Sequence, residues 1–189
     1  MASIPYADEG DPAVAAVLVM ARGKREAVGH MHRQMAHVPP LVEAFELYSA
    51  MIRTKLPLDF ELWGLAILRT VQVNRDAYQW RRCVQLGRRS GLEDAKIIEL
   101  WDWRNSDRYT ARQKAALAIV DEHCVERPKT RSAAAAAGGI LTDPEIVGIC
   151  TVMGWFLLTF ALIQPLALAA DDPAETPDLV ALDAKNHAN

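Results

Sequence analysis

From residue 146 to residue 170 the chain carries no charged side chain. A run of that length either crosses a bilayer or is kept from water by protein. Gln164 and Pro165 interrupt it, and neither end is closely flanked by the Lys or Arg that mark a membrane span. The expectation is therefore a long helix buried in an oligomer, with no membrane as partner. The other apolar run, residues 12–21, follows acidic residues, whereas a signal peptide would follow basic ones.

The rest of the chain fits an all-α fold. Of its 189 residues, 51% are hydrophobic but only 7% aromatic, so the core must come from Ala, Leu, Val and Ile. That mixture, without long β-branched runs or strand-like alternation, favours helices. The pattern predicts helices over 12–26, 41–55, 60–73, 75–90, 93–103, 110–126 and 132–139, and a last long one after Thr142 and Asp143. Residues 30–37 read as a connector. Asp59 and Thr110 are placed as N-caps and Gly91 as the stop after 75–90. Residues 60–73 are apolar nearly all round, which marks a central helix. Residues 1–170 are expected to form one multi-helix domain, and 171–189 an acidic, Pro-containing tail.

Several functional classes receive no support. A formal charge of −3 gives no reason to expect nucleic acid or an anionic membrane. Three cysteines (Cys83, Cys124 and Cys150) without a CxxC spacing argue against a disulfide scaffold and fit a reducing cytoplasm. There is no glycine-rich phosphate loop, GxSxG or HExxH, and no cofactor is implied. His30, His32 and His37 lack the spacing or companions of a metal site, so no metal is expected.

The stretch DAYQWRRC, residues 76–83, is the candidate site. On a helix, Asp76, Gln79 and Cys83 share one face, which Gln72 extends backwards if the helices are nearly continuous. Asp76 is a candidate base, Gln79 a donor to a carbonyl or carboxylate, and Cys83 a nucleophile or proton donor. A buried cysteine is as readily a small hydrophobe. Tyr78 reaches the same pocket only from the side. Arg81, Arg82, Arg88 and Arg89 form the solvent face, and Trp80 faces a neighbouring helix. Glu61, a carboxylate in an apolar helix, is a second proton carrier or simply a favourable first-turn acid.

Taken together, HRQMAHVPPLVEAFELYSAMI, LWGLAILRTVQVNRDAYQWRRCVQLGRRSGL and LTDPEIVGICTVMGWFLLTFAL resemble the carboxymuconolactone decarboxylase family, whose relatives include alkylhydroperoxidase D. The likeness covers roughly residues 30–170. A Tyr-Glu-Trp-x-x-His motif of one branch reads here as Tyr78-Gln79-Trp80-Arg81-Arg82-Cys83. The resemblance implies an all-α homo-oligomer, a trimer or hexamer, with pockets near subunit interfaces. It also implies either peroxide reduction by a CxxC pair or proton-transfer chemistry on small acids and lactones. The CxxC pair falls on Asp76 and Gln79, which removes both sulfurs of the peroxidase route. The family's His falls on Cys83, its Glu in the preceding helix on Gly64, and a frequent Glu of the last helix on Gly148. What remains is an enzyme with Cys83, Asp76 and Glu61 as catalytic groups. Gln79, Tyr78, Trp80 and Gln72 would surround a small organic acid, lactone or cyclic ketone. The alternatives are a non-catalytic oligomeric binding protein and a one-cysteine peroxidase.

Overall fold

A computed structural model describes residues 2–23, 28–75, 77–128 and 130–168. Asp76 and the tail expected over 171–189 lie outside the described residues. The described residues are helical throughout, without a β-strand, and divide into two compact units.

The first unit comprises the residues up to 56 together with those from 161 to 168. Its α1 (Pro12–Arg22) begins at Asp11, whose carboxylate accepts the Ala13 N–H at 2.7 Å, and ends at Gly23 with a φ of 49°. Its apolar stripe, Val14, Val17, Leu18 and Ala21, has helical spacing and is buried. α2 (His30–Met35) occupies the stretch that reads in sequence as a connector. Tertiary anchors make it a helix: Met31 and Met35 are buried, and polar side chains of α2, with His37 just after it, hold the N-terminal segment. Gln34 donates to the Ile4 carbonyl at 2.8 Å, the His37 ring lies 2.9 Å from the Pro5 carbonyl, and the His30 ring lies 2.6 Å from the Tyr6 hydroxyl. His32 bonds Glu46 at 2.8 Å. α3 (Pro39–Thr54) starts on its prolines, which suit a first turn, and packs on α1.

The second unit, residues 57–160, is built around α4 (Phe60–Val73). Asp59 caps it as expected, accepting the Leu62 N–H at 2.8 Å, and every residue from Gly64 to Gln72 is buried. Helix α5 (Ala77–Arg89) starts two residues later than the sequence suggests, because Arg75 turns left-handed at a φ of 52° and separates it from α4. Gly91, at a φ of 94°, ends α5; the Gly91 N–H donates to Arg88 and the Leu92 N–H to Gly87, so the last carbonyls are satisfied. α6 (Asp94–Glu99) runs into a 3₁₀ turn, Leu100–Asp102. α7 (Ala111–Asp121) widens into a π-helical turn, Glu122–Glu126. Short α8 (Ala133–Ala136) precedes α9 (Asp143–Ile163).

Both α5 and α7 pack against α4. Gly87 makes the first approach possible, since a Cβ there would come within 2.7 Å of Leu68. The second is tied by charge. Arg69 on α4 donates to both carboxylate oxygens of Asp121 on α7, at 2.6 and 3.0 Å, and Asp121 is fully buried. Trp103, Arg104 and Gln72 complete the cluster. α9 is long and apolar enough to cross a membrane by length and composition; only 39% of its most apolar window is buried within the chain.

Candidate functional site

An open cleft of about 330 Å³ lies in the second unit, where α4 and α7 both begin. Asp59, Phe60, Glu61 and Leu62 line it from α4, Thr110, Arg112 and Gln113 from α7, and Ser90 from the turn after α5.

Its geometry follows from helix capping. Thr110 caps α7, and Gln113 three residues later completes a reciprocal box: its amide oxygen accepts the Thr110 N–H at 3.0 Å. With that oxygen engaged, the Gln113 NH₂ turns to Glu61 and donates to Oε2 at 2.6 Å. Lys96 on α6 donates to the same Oε2 at 2.9 Å. Tyr109 donates its hydroxyl to the Lys96 carbonyl, fixing the backbone that carries this ammonium, and burial pushes the phenol above its ordinary range. Both hydrogen bonds to Glu61 thus fall on one oxygen. Oε1 accepts none among the described residues, and the side chain is 42% exposed. The result is a carboxylate fixed at one oxygen and open at the other.

Arg112 sits opposite with a partner of its own. It donates to Glu145 at 2.6 Å and to the Ile140 carbonyl at 3.1 Å, with Asp59 at 3.9 Å. The hydrogen bond to Glu145 is what chiefly keeps this guanidinium firmly charged. The Thr142 N–H and then Arg112 hold Glu145 below the usual carboxylate range.

The other residues singled out in the sequence are placed elsewhere. Cys83 is 1% exposed and does not line the cleft. Gln79 is buried on the same face of α5 and donates to Thr159 of α9 at 2.7 Å. Trp80 is buried with no acceptor for its indole N–H among the described residues. Tyr78 is half-buried, and Gln72 is buried, accepting from Arg69 at 2.7 Å. Among the described residues, no group of three or more His, Cys, Asp or Glu is arranged to hold a metal ion.

The two glycines that the resemblance aligns with family carboxylates, Gly64 and Gly148, are tightly packed. A Cβ at Gly64 has no room beside the Ser90 hydroxyl and lies 3.1 Å from Leu92; at Gly148 it would meet Leu58 at 3.1 Å. Lys96, Arg112 and Gln113 were not singled out in the sequence. The Thr-x-x-Gln spacing at 110–113 was the available signal for Gln113; Lys96 and Arg112 look like ordinary surface cations until the fold brings them to Glu61 and Glu145.

The family model for carboxymuconolactone decarboxylases matches residues 39–122. No curated protein sequence matches the chain. Among solved structures, a cysteine-to-alanine variant of the debrominase Bmp8 in complex with 2,3,4-tribromopyrrole aligns with a TM-score of 0.76 at 14% identity, covering 97% of each chain. The AhpD core of a peroxidase-related protein from Ralstonia eutropha JMP134 aligns at 0.67 with 17% identity, over 90% of this chain and 93% of that one. A protein of unknown function from Agrobacterium tumefaciens, linked to the antioxidant defence protein AhpD, aligns at 0.63 with 22% identity, over 75% and 96%. At these identities the likeness is one of fold.

Proposed function

Residues 39–122 match the carboxymuconolactone decarboxylase family, and on that premise we propose that the chain is an acid/base enzyme in which Glu61 moves a proton on a small organic acid, lactone or cyclic ketone. The observation that carries this reading is the one-sided solvation of the Glu61 carboxylate. Lys96 and Gln113 both hold Oε2, which leaves Oε1 as the basic oxygen beside the cleft. A base must be positioned before it is strong, and here the capping box does the positioning.

In the proposed step, Oε1 takes a proton from the carbon next to a substrate carbonyl. The C–H electron pair becomes the C=C bond of the enolate while the carbonyl π pair moves onto oxygen; the protonated Glu61 then returns a proton to that carbon and the carbonyl re-forms. As Glu61 becomes neutral, the Lys96 ammonium loses its counter-ion just as negative charge appears on the substrate, which favours the enolate. No sulfur takes part. The test is Glu61→Gln, which keeps an acceptor for Lys96 but cannot take a proton; turnover should fall at least about 100-fold. Unchanged turnover would remove Glu61 from the chemistry.

A second reading centres on a thiol. The Bmp8 structure that holds 2,3,4-tribromopyrrole has a cysteine replaced by alanine, and Cys83 is the one cysteine of α5. In this reading Gln79, Tyr78, Trp80, Gln72 and Asp76 would serve the α5 thiol. The 1% exposure of Cys83 stands against it in the chain as described. The homo-oligomer, a trimer or hexamer, is likewise proposed; exposed Val147 and Leu158 on α9 are the apolar surface it would bury. Cytoplasmic location is proposed on the reduced cysteines alone.

A further inference from the structure

The charges of the cleft specify what kind of molecule it accepts. Five charged side chains meet there: Asp59, Glu61 and Arg112 on its lining, Lys96 bonded to Glu61, and Glu145 bonded to Arg112. Each cation already has a carboxylate, Lys96 at 2.9 Å and Arg112 at 2.6 Å. The fifth charge, Asp59, is negative, 55% exposed and 3.9 Å from Arg112. An incoming carboxylate would find no unmatched cation and would face two exposed carboxylates, Asp59 and Glu61.

The helix N-termini do not supply what the cations lack. Two helices start at the cleft, and their positive ends partly offset the excess negative charge. One N–H at each of these helix starts is already engaged, that of Leu62 by Asp59 and that of Gln113 by the Thr110 hydroxyl. The apolar contribution is clear. Phe60, 72% exposed, stands on the lining with its ring uncovered, next to Leu62. That surface suits the face of a small ring, and Oε1 of Glu61 is the open polar atom beside it.

We infer that the cleft selects an uncharged cyclic carbonyl compound and rejects its carboxylated counterpart. This rests on the acid/base reading of Glu61 and narrows its substrate class. The selectivity is set by Asp59 and by the Glu145–Arg112 pair, so it can be inverted. Releasing Arg112 from Glu145 would leave it only the more distant Asp59, at 3.9 Å, and so admit an anion.

The experiment is an NMR titration of the full-length protein with cyclohexanone and with 3-oxocyclohexanecarboxylate, following the Gln113 side-chain amide. The wild type should bind the ketone at least about tenfold more tightly than the keto acid. Glu145→Gln should tighten keto-acid binding about tenfold and leave ketone binding within about twofold. Asp59→Asn, which keeps an N-cap, should act in the same direction. Equal or tighter binding of the keto acid by the wild type would overturn the inference, as would the absence of any shift with either probe. The catalytic reading fails separately: if Glu61→Gln leaves turnover intact while the ketone preference persists, the cleft binds as inferred and the chemistry lies elsewhere.

Discussion

Gly64 of α4 lies so close to the Ser90 hydroxyl that a Cβ has no space between them. The position that the resemblance aligns with a family Glu is therefore occupied by packing, with Ser90 turned to donate to the Gly87 carbonyl at 2.7 Å. The carboxylate nearest in sequence is Glu61, one helical turn earlier. Its partners come from α6 and α7.

Gly64→Ala should destabilise the protein by about 1–3 kcal/mol, since an overpacked core outweighs the helix propensity gained. Urea unfolding measures this. A fully tolerated alanine would show that the packing at Ser90 is soft and the family position still open.

Removing one partner of the buried pair should be costlier. Asp121→Ala leaves Arg69 buried and unpaired and should cost about 3–5 kcal/mol in the same assay. Replacing both, Arg69→Met with Asp121→Leu, should recover much of that loss. A loss below about 1 kcal/mol for Asp121→Ala would mean that water reaches Arg69.

Glu145 makes part of the stability pH-dependent. Its folded-state pKa lies below the unfolded value, first through the Thr142 N–H and then through Arg112. Its contribution is therefore complete above the unfolded value of about 4.5 and is lost as the pH falls through the folded one. Glu145→Gln should lower Tm at neutral pH, and the two melting curves should converge in acid below that window. A constant difference across pH would assign the effect to packing.

Thiol reactivity should follow burial. Cys83 is 1% exposed and should resist alkylation until the chain unfolds. Cys150 is on the exposed side of α9. Desolvation raises both the Cys124 and Cys150 thiols, so their labelling should accelerate only above the usual thiol range. Fast labelling of Cys83 at neutral pH would favour the thiol reading instead.

Much of the fold was legible in the sequence, and for local reasons. Asp59, Thr110 and Gly91 act at the helix ends they mark, and the all-round apolarity of 60–73 gives the central helix. α2 was missed because its stability comes from Ile4, Pro5 and Tyr6, residues remote in sequence. The site was legible in part. Glu61 stood out as a carboxylate among apolar neighbours. Its donors did not, since Lys96 and Gln113 reach it across 35 and 52 residues. Arg69 and Asp121 carried the same signal as Glu61, a charge inside an apolar helix, and form the buried pair 52 residues apart.

The most direct measurement is deuterium incorporation from D₂O into cyclohexanone, catalysed by the wild type and by Glu61→Gln. Exchange is expected at the carbons flanking the carbonyl, reduced at least about 100-fold by the substitution. Equal exchange by the two proteins, or none by the wild type, would contradict it.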